Sequence, residues 1–135
     1  HKEEQIRAKA MEMLEFVGLA EKFSESADSL PLGGRKMLEI GRALATEPTL
    51  LCLDEPAAGL NETETEKASS LINAIKEKGI TVLLVEHDMK VVMNISDEIM
   101  ALNYGEKIAE GLSEEIQNNP KVIEAYLGSS EEDRA

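Results

Sequence analysis

Apolar positions recur along this chain with two different periods. From His1 to Val17, Ile6, Ala10, Met13, Leu14 and Val17 share one helical face, which predicts a helix with Gly18 as its stop. Leu19 to Leu32 keeps no period and is expected to be irregular, with a short helix around Glu21. The helical period returns from Arg35 to Ala45 through Leu38, Ile40, Ala43 and Leu44, and Pro48 closes that region. Leu50 to Leu53 is a short unbroken apolar run between Pro48 and Asp54-Glu55-Pro56, the pattern of a strand buried on both faces of a parallel sheet. Asn61 to Lys78 predicts a helix capped by Asn61, with Glu64 placed to close a capping box and Gly79 as its end. Ile80 to Val85 reads as a second buried strand, and Asp88 to Ile95 as a short helix. Asp97 to Asn103 and Lys107 to Glu110 are expected as strands joined by a turn at Tyr104-Gly105. Ser113 and Asn119 can each cap a terminal helix, with Pro120 suited to the first turn of the second. Ser129 to Ala135 is a short acidic tail, expected to be disordered.

Strand, helix, strand, helix in that order points to an α/β fold with parallel strands flanked by helices. A chain of 135 residues suits one domain with a real core. Its net charge of −13, with aromatics at 3% and no Trp, offers neither a basic patch nor a base-stacking platform, so nucleic acid is not an expected partner. No apolar run approaches the ~18 residues that a membrane-spanning helix needs. The single cysteine, Cys52, lies within the first apolar run and is expected to be a small buried hydrophobe, in keeping with a cytoplasmic setting.

Candidate chemistry gathers where the two apolar runs end. Ligands of open α/β sheets collect beyond the carboxyl ends of the strands. There Asp54 could hold Mg²⁺ and Glu55 could orient or deprotonate an attacking water, the two tasks that phosphoryl transfer needs. An isolated Asp-Glu pair is more often just the start of a loop. The second run also ends in polar residues, Glu86-His87-Asp88, and if the strands are parallel neighbours His87 joins the edge that carries Glu55. A third segment, Leu30-Pro31-Leu32-Gly33-Gly34, leads into the helix at Arg35. Glycines permit close backbone approach, and a helix start presents free N–H groups to phosphate. Alone, that junction is an ordinary one.

Taken in order, the three segments resemble the ATP-binding subunits of ABC transporters. The family's signature loop, Walker B strand, D-loop and switch histidine correspond to Leu30 to Gly34, Leu50 to Glu55, Ala58-Gly59-Leu60-Asn61 and His87. Leu38-Glu39-Ile40-Gly41-Arg42-Ala43-Leu44 is similar to the helix after the family's signature. Asp54 to Asn61 and the ending Asn119 to Gly128 resemble the subunits that drive import of branched-chain amino acids. The resemblance implies a partial P-loop NTPase core. Residues 1–47 would be part of a helical subdomain, residues 48–128 the C-terminal part of the ATPase core, and residues 129–135 the tail. It implies ATP and Mg²⁺ as cofactors, with Asp54 as the metal residue and Glu55 and His87 as the catalytic pair. It also implies that Gly33 and Gly34 approach ATP held by a second ATP-binding subunit, with Asn61 near the dimer axis. Membrane permease subunits would complete the assembly, at the inner face of the cell membrane.

The departures from the family pattern are specific. Pro31 replaces the usual signature serine and Leu32 a glycine; Gly34 stands where Gln is frequent; Ala58 and Asn61 replace the commoner Ser and Asp. Pro31 brings neither a hydroxyl nor an N–H to a phosphate. No Gly-x-x-x-x-Gly-Lys-Ser/Thr run occurs in the 135 residues. By the resemblance that loop would lie before His1, so the chain by itself is expected to be a fragment that does not hydrolyse ATP. The strand that carries the loop would pair beside Leu50 to Leu53, so an exposed apolar edge is expected there. The competing readings are a non-catalytic interaction module of the same fold, or an ABC ATPase of DNA repair or translation. The acidity and the branched-chain-like ending weigh against the latter.

Overall fold

Residues 1–127 are described in a computed structural model, which divides into two compact units, His1–His87 and Asp88–Ala135. The boundary expected at 47/48 lies inside the first unit. The acidic tail lies outside the described residues, as does Gly128.

In the first unit, α1 (Lys2–Phe16) ends against Gly18 at φ 78, as the sequence predicts. Its apolar face is covered at one end only: Val17, which caps it, is buried, whereas Ile6 is 63% exposed. A 3₁₀ turn at Ala20–Lys22 occupies the expected short helix, and a second, Ala27–Ser29, precedes α2. That helix runs Leu32–Leu44 and starts three residues before the predicted Arg35, with Pro31 as its N-cap. Gly33 and Gly34 are therefore first-turn helical residues rather than a loop. Its buried stripe is Ile40, Gly41 and Leu44. Lys9 reaches from α1 to Glu47 at 2.7 Å, an exposed ion pair that lowers the pKa of the Glu47 carboxyl and adds little to stability.

Strand β1 (Leu50–Asp54) pairs in parallel with β2 (Thr81–Val85), Leu50 opposite Thr81 and Asp54 opposite Val85. Between them α3 (Glu62–Glu77) has the predicted capping box: Asn61 Oδ1 accepts from the Glu64 N–H at 2.8 Å, and Glu64 Oε2 accepts from the Asn61 N–H at 2.9 Å. Ala68, Leu71, Ile72 and Ile75 form its buried face.

The strands differ from expectation in one respect. Leu51 and Leu53 are buried, but Leu50, Cys52, Leu83 and Val85 are exposed, Leu83 at 57%. Side chains alternate across a strand, so the two-stranded sheet has one covered face and one bare apolar face. Cys52 lies on the bare face and is exposed rather than buried. Such a face invites association. The chain is accordingly expected to form oligomers as its concentration rises, and Leu83→Lys to weaken them. Light scattering from a clean monomer over a wide concentration range would contradict this.

In the second unit, Asp88 caps α4 (Met89–Ile95) by accepting from the Lys90 and Val91 N–H groups. Strands β3 (Ile99–Asn103) and β4 (Glu106–Gly111) form an antiparallel hairpin. Its turn has positive φ at both Tyr104 (49) and Gly105 (78), as a two-residue hairpin turn of matching twist requires. Helix α5 (Ser113–Gln117) lacks the predicted serine cap: Leu112 is its N-cap, and the Ser113 hydroxyl donates to the Met93 carbonyl at 3.0 Å. Asn119 does cap α6 (Pro120–Val122), with Pro120 in the first turn, and a π-helical turn Ile123–Leu127 follows. The core of this unit is Ile99, Ala101, Ile116 and Val122, flanked by Met89 and Ile108. The Tyr126 hydroxyl donates to the Leu102 carbonyl.

Candidate functional site

Two parallel strands deliver their carboxyl ends to the same place, and the backbone beyond them does the rest. The Glu55 N–H continues the ladder to the Val85 carbonyl at 2.7 Å. Strict alternation would then send the Glu55 side chain to the covered face, after Leu51 and Leu53. Instead Glu55 takes φ 48, a left-handed conformation uncommon for a side-chain-bearing residue. The pleat breaks there. Glu55 Oε1 lies 2.9 Å from His87 Nδ1, with the two side chains 49% and 71% exposed. With Glu55 ionised, its carboxylate accepts from Nδ1–H, which leaves Nε2 for a ligand. Asp54, the last residue of β1, is exposed beside them and shares the bare face of the sheet with Leu50 and Cys52. The turn closes as the Ala58 N–H donates to the Glu55 carbonyl at 3.1 Å.

Three residues to which the sequence reading gave no part in the site also meet here or nearby. Lys36 of α2 donates from Nζ to the Glu55 carbonyl at 3.1 Å. Lys36, Ile40 and Ala43 face Leu51, Leu53 and Pro56 across a cleft of about 310 Å³. Glu86 continues the alternation of β2 past its last residue and turns inward, its side chain only 1% exposed. The unbroken apolar run before it gave no sign in the sequence of which face Glu86 would join. Glu64 is the third: besides closing the cap of α3, its carboxylate lies against the first turn of α2. A Cβ on Gly33 would stand 3.1 Å from Glu64 Oε1, so glycine there permits the close approach. A Cβ on Gly59 would stand 2.8 Å from Leu32 Cδ2.

The predicted residues thus fall into two groups within the first unit. Asp54, Glu55 and His87 meet at the ends of β1 and β2. Gly33 and Asn61 meet at Glu64, and Gly34, packed against Leu30, joins them along a groove of about 810 Å³ where the starts of α2 and α3 come together. Asn61 Oδ1 is engaged by the cap of α3. Among the described residues, no three His, Cys, Asp or Glu side chains converge as a metal cage. Mg²⁺ does not require one: it is usually held by one or two carboxylates together with waters and phosphate oxygens, and an exposed Asp54 suits that role.

Comparison with known proteins gives the family. Residues 1–58 match the family described as ABC transporter, and residues 106–132 match the family described as branched-chain amino acid ATP-binding cassette transporter. The branched-chain amino acid transport ATP-binding protein BraF of Pseudomonas aeruginosa is 49% identical over 90% of this chain. The chain belongs to the ABC transporter ATP-binding family. LivG of Escherichia coli, another ATP-binding protein of branched-chain amino acid transport, is 47% identical over 90% of the chain. This ABC chain spans about half the length of those relatives, 48% in each case. The crystal structure of an ATP-binding cassette of an ABC transporter in its ADP conformation superimposes with a TM-score of 0.82 at 36% identity, covering 90% of this chain and 49% of that one. The first unit, with β1 and β2 parallel and one face of the pair covered, fits a partial ABC ATPase core. Among the described residues, no helix is long and apolar enough to cross a membrane.

Proposed function

We propose that this chain supplies the metal, water and γ-phosphate edge of the ATP site in the ATP-hydrolysing subunit of an ABC importer for branched-chain amino acids. The reading rests on one observation above all: Glu55 Oε1 and His87 Nδ1 lie 2.9 Å apart at the shared carboxyl end of two parallel strands. Glu55 would orient and deprotonate the attacking water. His87, positioned through Nδ1, would turn Nε2 toward the γ-phosphate. Asp54 would hold Mg²⁺, whose charge neutralises phosphate oxygens.

Gly33, Gly34 and Asn61 lie in a separate group, which suits residues that face the nucleotide of a second ATP-binding subunit rather than their own. Pro31, as N-cap of α2, has no N–H to offer that ligand. A permease in the membrane would be the other partner, with the ATPase bound peripherally at its cytoplasmic side. The similarity to BraF and LivG supports the amino acid class of the cargo. The 135 residues contain no Gly-x-x-x-x-Gly-Lys-Ser/Thr run, which supports a chain that turns over ATP only when joined to such a loop.

The metal assignment has its own test. In a protein joining this chain to the half of BraF that it does not match, Asp54→Asn should raise the Mg²⁺ concentration for half-maximal phosphate release by about tenfold or more. An unchanged Mg²⁺ dependence would remove Asp54 from that role.

A further inference from the structure

We propose that Glu86 is the positioning residue of this site, a buried carboxylate that ties the loop after β1 to the segment after β2 and so sets the spacing of Glu55 and His87. The proposal rests on the nucleotide reading for what the site does, but on geometry alone for the tether. Glu86 Oε2 accepts from the Ala57 N–H at 3.1 Å, and Glu86 Oε1 accepts from the His87 N–H at 3.1 Å. Ala57 stands two residues beyond Glu55, within the turn that gives Glu55 its left-handed φ of 48. One side chain therefore fixes the backbone on both sides of the Glu55–His87 pair. Glu86 Oε1 is 3.8 Å from His87 Nδ1, beyond hydrogen-bond reach, so the imidazole stays with Glu55.

The chemistry favours a carboxylate in this position. Both oxygens face N–H donors, and an ionised carboxylate is acceptor-only. A glutamine would present one carbonyl oxygen and one NH₂ group, so it could satisfy one of the two amides and would oppose the other. With its side chain 1% exposed, Glu86 has no water to substitute for a lost partner. A surface acid kept for solubility would lie in the open.

Hydrogen exchange on the 135-residue chain, resolved to single amides by mass spectrometry at micromolar concentration, tests the tether. In Glu86→Gln, one of the Ala57 and His87 amides should keep its protection while the other exchanges about tenfold faster or more. In Glu86→Ala both should lose protection, and the amides of Ile72 and Ile75 on α3 should stay protected. A second readout uses the chain joined to the BraF half: with the folded fraction taken from circular dichroism, Glu86→Gln should lower kcat per folded site by about tenfold or more with KM for ATP unchanged, whereas partial unfolding would lower only the folded fraction. The proposal is overturned if both amides keep wild-type protection in Glu86→Ala. It is equally overturned if α3 loses protection together with them in Glu86→Gln, which would make Glu86 a general stability residue. Selective amide responses in a joined protein that shows no ATP hydrolysis would leave the tether standing and sink the nucleotide reading instead.

Discussion

Glu55→Gln, in the chain joined to a phosphate-loop half, is expected to slow phosphate release by about 10²–10⁴-fold, the range that a positioned general base contributes. The substitution is nearly isosteric. Its carbonyl oxygen can still accept from His87 Nδ1–H, and its N–H can still donate to the Val85 carbonyl. The fold and the ring orientation should therefore survive while the proton acceptor is lost. KM for ATP should change little, because the role proposed for the carboxylate is on the water and not on the nucleotide. A rate within a few-fold of the unsubstituted protein would exclude Glu55 as the base.

The largest effect on stability is expected from Ile75→Ala. Ile75 is 0% exposed and belongs to the α3 face that also buries Ala68, Leu71 and Ile72. Truncating a fully buried Ile costs about 2–5 kcal/mol, transfer and cavity terms together. That is a large share of the roughly 5–15 kcal/mol available to an ordinary domain, and the first unit leaves one side of its sheet bare. Urea unfolding followed by circular dichroism should show a lower midpoint. A loss below about 1 kcal/mol would mean that the α3 face is not a tightly packed core.

Much of this arrangement was legible in the residues. The capping box was spelled out by Asn61 and Glu64, and the hairpin by Tyr104-Gly105 between two expected strands. The parallel pairing of Leu50–Asp54 with Thr81–Val85 followed from two short apolar runs with a capped helix between them. That pairing is what brings His87 beside Glu55.

What the sequence hid has physical causes. A run such as Leu50 to Leu53 looks the same whether both faces of its strand are covered or only one, because periodicity cannot tell what packs outside the chain at hand. Cys52 was misplaced for that reason. The start of α2 was misread because Gly33-Gly34 resembles a loop by propensity, and the close approach of Glu64 that favours glycine at 33 is visible only in the fold. Ser113 could serve as a cap or satisfy a neighbouring carbonyl, and tertiary contact with Met93 decided between them. The left-handed turn at Glu55 had no sequence signal, since glutamate seldom takes that conformation. Glu86 was hidden for the same reason as Cys52, since Val82 to Val85 is apolar throughout and does not show which face the next residue joins.

The central claim is that Asp54, Glu55 and His87 form one edge of an ATP site that a phosphate-binding loop completes. Phosphate release from Mg²⁺-ATP, measured side by side on the 135-residue chain alone and on the chain joined to the BraF half, tests it most directly. The account predicts no release above background from the chain alone, and ATP-dependent release from the joined protein that disappears with Glu55→Gln. Steady turnover by the chain alone that Glu55→Gln abolishes, or turnover by the joined protein that ignores the substitution, would contradict it.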